Sequence, residues 1–95
     1  MEGYFVFNYR INDRAAYEPY LAQVMQTLIA HDAEILVADF ESEKIEGDAG
    51  HVTVVLKFPT KEAAYKWYQS PEYQKILKLR TDHCHGIAVL AGAAE

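Results

Sequence analysis

The stretch HVTVVLKFPTKEAAYKWYQSPEY, residues 51–73, decides the fold, because its hydrophobic period changes from that of a strand to that of a helix at its centre. Val52, Val54, Leu56 and Phe58 alternate with His51, Thr53, Val55 and Lys57, which gives residues 51–58 two distinct faces, as a strand requires. Pro59 ends that strand, and Thr60 can accept a hydrogen bond from the free N–H groups of a helix beginning with KEAAYKWYQ. Glu62 places a negative charge at the positive end of that helix, and Ala63, Ala64, Trp67 and Tyr68 form its apolar stripe. Ser70 and Pro71 then read as a second helix start, since Ser is a favoured cap and the fixed φ and missing N–H of Pro suit the first helical position. Tyr73, Ile76, Leu77 and Arg80 share one face of this second helix.

Toward the N-terminus, YFVFNYRI at residues 4–11 has Phe5, Phe7, Tyr9 and Ile11 on one side and Tyr4, Val6, Asn8 and Arg10 on the other. Asn12 or Asp13 can cap a helix whose inward face carries Tyr17, Leu21, Val24 and Leu28, joined by Tyr20, Met25 and Ile29. Pro19 is close enough to the start to be tolerated. ILVADF at residues 35–40 is the second strand, and the polar run from Glu41 to Gly50, with Gly47 and Asp48, is a hairpin connection. GIAVLAG at residues 86–92 is the fourth strand.

The order is β-α-β-β-α-β over a single domain spanning residues 1–95, an α+β ferredoxin-like arrangement with an antiparallel sheet and its helices on one face. Both faces of the first and third strands are apolar, so the uncovered face calls for a partner, and a second copy of the chain is the simplest one.

A 95-residue chain has room for one core, and its net charge of −5 disfavours nucleic acid and anionic membranes, which attract clustered Lys and Arg. Cys84 is the only cysteine, so no intrachain disulfide can form and a reduced, cytoplasmic setting is expected. No segment has the roughly 20 apolar residues of a membrane span, and the first residues lack the basic and apolar regions of a signal peptide.

FPTKEAAYKWYQSPEYQKILKLR at residues 58–80, together with Glu46–Gly47 and the paired Tyr17 and Tyr20, resembles the DUF1330 family of small proteins. The resemblance implies a homodimeric α/β barrel in which two ferredoxin-like sheets face each other. It implies no reaction, since the family has none assigned and a shared fold does not carry a shared function. The wider superfamily includes antibiotic-biosynthesis monooxygenases, muconolactone isomerases and haem-using enzymes, along with stress-induced and uncharacterised barrels. Where the family pattern has paired glycines and often a basic residue around the second strand, this chain has AHDAEILVADF, which argues against an anion site there.

The expected ligand pocket lies between sheet and helices, lined by Tyr4, Tyr17, Tyr20, Trp67 and Tyr68, with Arg80 as a polar contributor. His83, Glu46 and Tyr68 are the candidate catalytic groups. Trp67, Tyr68, Ser70 and Tyr73 read first as anchors and a cap, since each has a packing or capping reason that requires no ligand, and Ser70 lacks the Gly-x-Ser-x-Gly surroundings of a nucleophile. Within DHCH at residues 82–85, His83 and His85 would share a strand face and are candidate metal ligands, although the spacing fits no established metal pattern; no cofactor is expected. Cys84 as a nucleophile would need a lowered pKa and a positioned base. Glu46 and Arg80 have an ion pair as their alternative reading, and His31 is expected to favour the helix end beside it.

The leading expectation is a homodimer that binds a small organic molecule. The alternatives are a non-catalytic structural or stress-response dimer and a cofactor-independent oxygenase or isomerase.

Overall fold

A computed structural model describes residues 1–94 of the chain. Its elements run β1 (Gly3–Ile11), α1 (Arg14–Ala30), β2 (Glu34–Asp39), β3 (Val52–Phe58), α2 (Lys61–Gln69), α3 (Pro71–Gln74), α4 (Leu77–Thr81) and β4 (Cys84–Gly92). The strands form one sheet in the order β2-β3-β1-β4 with every neighbouring pair antiparallel, which is the ferredoxin-like topology expected from the sequence.

Alternation along β1 places Phe5, Phe7 and Tyr9 under the helices, where they meet Val52, Leu56 and Phe58 of β3 in the buried core. The opposite face holds Tyr4, Val6 and Asn8, with Val55 beside Val6 on β3 and Val89 beside it on β4. Ile87 and Val89 are 62% and 48% exposed there, so this sheet face is apolar and uncovered. Asn8 gives it a polar anchor. Its side-chain amide donates to the Gly50 and Val52 carbonyls and accepts from the Gly50 N–H at 2.7 Å, tying the long β2–β3 connection to the middle of the sheet.

The caps stand where the sequence placed them. Asp13 accepts from the Ala16 N–H, Thr60 from the Ala63 N–H, and Ser70 from the Tyr73 N–H with Pro71 as the first residue of α3. β1 begins one residue earlier and β3 one residue later than expected, and three larger differences follow. β4 begins at Cys84 rather than residue 86, because the long β1 offers Arg10 and Ile11 as partners to His85 and Cys84. The segment after Ser70 is two short helices broken at Ile76 rather than one run, and Ile76 itself is buried against the core. β2 spans 34–39 instead of 35–40, with a bulge between Ile35 and Val37.

Trp67 is fully buried and is the centre of an aromatic cluster. It lies 4.1 Å from Tyr73 and 5.4 Å from Phe5 and Phe58, ring centre to ring centre, and its indole N–H donates to Thr27 Oγ1 at 2.9 Å. α2 is thereby pinned to α1 as well as to the sheet.

Candidate functional site

Between α1 and the β2–β3 half of the sheet lies a cavity of about 240 Å³. β1 contributes Phe7 and Tyr9, α1 contributes Tyr17, Tyr20, Leu21, Val24, Met25 and Leu28, β2 contributes Ile35 and Ala38, and β3 contributes Val54 and Leu56, with Phe40 closing one end. No Asp, Glu, His, Lys or Arg is among these residues. α2 packs mainly on β1 and β4, α4 packs on β4, and the cavity lies beside α1 toward the β2 edge, where Ile35 and Met25 are 40% and 48% exposed at its rim.

The tyrosines at one end form two hydrogen-bonded pairs. Tyr9 and Tyr17 hydroxyls are 2.6 Å apart, and Tyr20 and Tyr73 hydroxyls 2.7 Å apart, all four being buried. Burial raises the pKa of each, since a phenolate would be stranded away from water. For Tyr9 the bond from Tyr17 raises it further, whereas the neighbouring Arg80 charge acts in the opposite direction on all four.

Arg80 is 7% exposed. Its guanidinium carbon lies 5.0 Å from the ring centre of Phe7, 5.8 Å from Tyr9 and 5.9 Å from Tyr20, so cation–π contact replaces water around it. Burial opposes its charge, but the hydroxyl oxygens of Tyr73 and Tyr20 outweigh that, and its pKa is raised. Its Nε has no hydrogen-bond partner, and among the described residues no carboxylate pairs with it. The alternative reading of a Glu46–Arg80 ion pair does not hold. α4 turns Arg80 into the core, while Glu46 stands exposed on the β2–β3 connection.

Of the residues expected to line a pocket, Tyr17 and Tyr20 are in the cavity wall. Trp67 and Tyr68 are packed in the aromatic cluster over β1 instead, and Arg80 lies behind Phe7, Tyr9 and Tyr20, one ring away from the cavity. Tyr4 is on the uncovered sheet face, opposite Lys57 and Ala91. His83 precedes β4, and its backbone carbonyl accepts from the Asn12 and Asp13 N–H groups, fastening the start of α1 to the start of β4. His85 is exposed, and among the described residues no three His, Cys, Asp or Glu side chains converge as metal ligands would. Burial pushes the Cys84 thiol up, away from the thiolate a nucleophile needs. His31 sits at the C-terminus of α1 with Nδ1 3.0 Å from the Thr27 carbonyl.

Sequence reasoning missed Tyr9 as a site residue. It placed Tyr9 correctly on the inward face of β1, and the signal it lacked was the distance to the Tyr17 hydroxyl across the packed layers.

Comparison with solved structures places this geometry among known folds. A protein of unknown function, RPA0582 from Rhodopseudomonas palustris, matches with a TM-score of 0.79 at 12% identity, over 99% of this chain and 83% of its own. SnoaB, a cofactor-independent oxygenase from Streptomyces nogalater, matches with a TM-score of 0.63 at 14% identity, over 99% and 94% of the two chains. An antibiotic biosynthesis monooxygenase matches with a TM-score of 0.54 at 14% identity over the whole of both chains. At such identities the likeness is one of fold. No curated protein matches the sequence. The profile of the DUF1330 family, described as a domain of unknown function, matches residues 2–93, and the chain belongs to that family.

Proposed function

We propose that this protein binds a small apolar organic molecule in the cavity beneath α1 and works as a homodimer whose two uncovered sheet faces meet. The observation that carries the first part is the cavity itself: about 240 Å³ walled by aliphatic and aromatic side chains. It opens at the β2 edge, where Ile35 and Met25 are partly exposed, so an apolar ligand can enter it and shield these side chains from water. Binding is better supported than catalysis. Proton abstraction, the first step that a cofactor-independent oxygenase or isomerase would need, calls for a base, and the wall holds no carboxylate, imidazole or amine.

The second part is supported by Val6, Val55, Ile87 and Val89, which form one apolar patch on the sheet face away from the helices. Such a face is self-complementary across a two-fold axis.

Titration with 1-aminonaphthalene, an uncharged two-ring fluorescent probe of apolar sites, tests the cavity. Saturable binding of one probe per chain is expected, and Ala38→Phe, which fills the cavity from β2, should abolish it. Absence of saturable binding, or binding that Ala38→Phe leaves intact, overturns the reading. Sedimentation at micromolar concentration tests the dimer, and a strictly monomeric chain overturns that part.

A further inference from the structure

Two hydroxyl groups that bond only to each other use one of their two hydrogens. The Tyr9–Tyr17 pair, at 2.6 Å, is in this state: one hydroxyl donates, the other accepts, and neither has a further partner among the described residues. The accepting hydroxyl therefore keeps an O–H donor with nothing to donate to, although Tyr9 and Tyr17 are 3% and 0% exposed. A buried donor without an acceptor is costly, so this O–H is the polar group of the pair to which a ligand oxygen could bond with gain. Both tyrosines line the cavity, which makes the cavity the route by which an acceptor can reach them.

Arg80 adds a sign to this. Its guanidinium stacks on Phe7, Tyr9 and Tyr20, all three of which line the cavity, and no carboxylate pairs with it among the described residues. The end of the cavity occupied by the hydroxyls thus lies in a positive field that favours the negative end of a dipole. A full negative charge is a different matter. With no cation in the wall itself, a carboxylate would lose its water and gain no direct ionic partner.

Resting on the cavity reading above, we infer that the ligand is an uncharged, mainly apolar ring compound with a carbonyl-type oxygen, which accepts the unused hydroxyl hydrogen of the Tyr9–Tyr17 pair. A dry apolar cavity of about 150 Å³ holds benzene, so about 240 Å³ suits two fused six-membered rings.

Three probes of matched shape test this by calorimetry or saturation-transfer NMR: naphthalene, 1-tetralone and 1-naphthoate. Tetralone is expected to bind about fivefold more tightly than naphthalene, the ratio one net hydrogen bond supplies, and naphthoate more weakly than both. In the double variant Tyr9→Phe/Tyr17→Phe the tetralone advantage should vanish while naphthalene binding persists. Removing both members of a buried pair leaves no orphaned group, so this variant should fold, and the wild-type comparison decides the matter even if it does not. Equal binding of naphthalene and tetralone to the wild type overturns the acceptor inference and leaves the cavity reading standing. Tightest binding by naphthoate overturns the exclusion of charge. Binding of none of the three overturns the cavity reading itself.

Discussion

Raising the pH from 8 to 10.5 should destabilise this protein progressively, and the buried tyrosines set the size of the effect. Tyr9, Tyr17, Tyr20 and Tyr73 have pKa values raised in the fold, chiefly by burial, from an ordinary value of 10.0 that the unfolded chain recovers. A raised pKa means the folded state holds its proton more tightly, so the stabilisation is complete below pH 10 and is lost as the unfolded phenols ionise above it. Tyr9 and Tyr20, the two most strongly raised, stay protonated in the fold at pH 10.5 and cost about 0.8 kcal/mol each, or about 2 kcal/mol together, with Tyr17 and Tyr73 adding in the same direction. Against the roughly 5–15 kcal/mol typical of a small domain, that is a substantial share of the total. Urea denaturation followed by circular dichroism at pH 8, 9, 10 and 10.5 measures it. With a slope of about 1 kcal/mol per molar for a chain of this size, the midpoint should fall by about 2 M or more across the range. Tyr9→Phe/Tyr17→Phe should halve the drop. A midpoint that moves by less than about 0.5 M refutes the assignment of four phenols that must lose their protons only on unfolding.

Trp67→Phe removes the hydrogen bond to Thr27 and shrinks a fully buried side chain, and should cost about 2–3 kcal/mol in the same urea assay. Ser70→Ala removes the cap on the Tyr73 N–H and should cost about 1 kcal/mol, with the far-UV spectrum otherwise retained. Gly86→Ala sets a Cβ 2.2 Å from the Asn8 carbonyl oxygen and 2.4 Å from Tyr9 Cα on the neighbouring strand; because backbone has to move, a loss of at least about 2 kcal/mol is expected, and a thermal midpoint within a degree of wild type would contradict it. Ile87→Lys, placed on the uncovered sheet face, should leave the monomer fold intact and shift sedimentation toward the monomer.

How far the sequence can be read depends on how local each determinant is. Thr60, Ser70 and Asp13 act on N–H groups three residues away, and all three cap as their positions imply. The alternation of β1 and β3 identifies the inward faces, because side-chain direction along a strand is set by the backbone itself. Even the break at Ser70–Pro71 that gives the family its signature is local. The length of β4 is not, since Cys84 and His85 join the strand only because Ile11 and Arg10 are there to pair with them.

The candidate site was legible only in part. Tyr17 and Tyr20 belong to an inward helical face that spacing reveals, but spacing also offered Trp67 and Tyr68 with equal force, and they are packed on other rings instead. By itself, the sequence determined the elements, their order, the caps and the two-faced sheet, because each follows from backbone periodicity or from contacts within one turn. Only the tertiary structure decided that Tyr9 meets Tyr17, that Tyr20 meets Tyr73 across 53 positions, that Arg80 is buried with no carboxylate paired to it among the described residues, and that space is left beneath α1. These depend on how volumes from separate elements add up at one place, and on hydroxyl distances that a shift of about one ångström in α1 would undo.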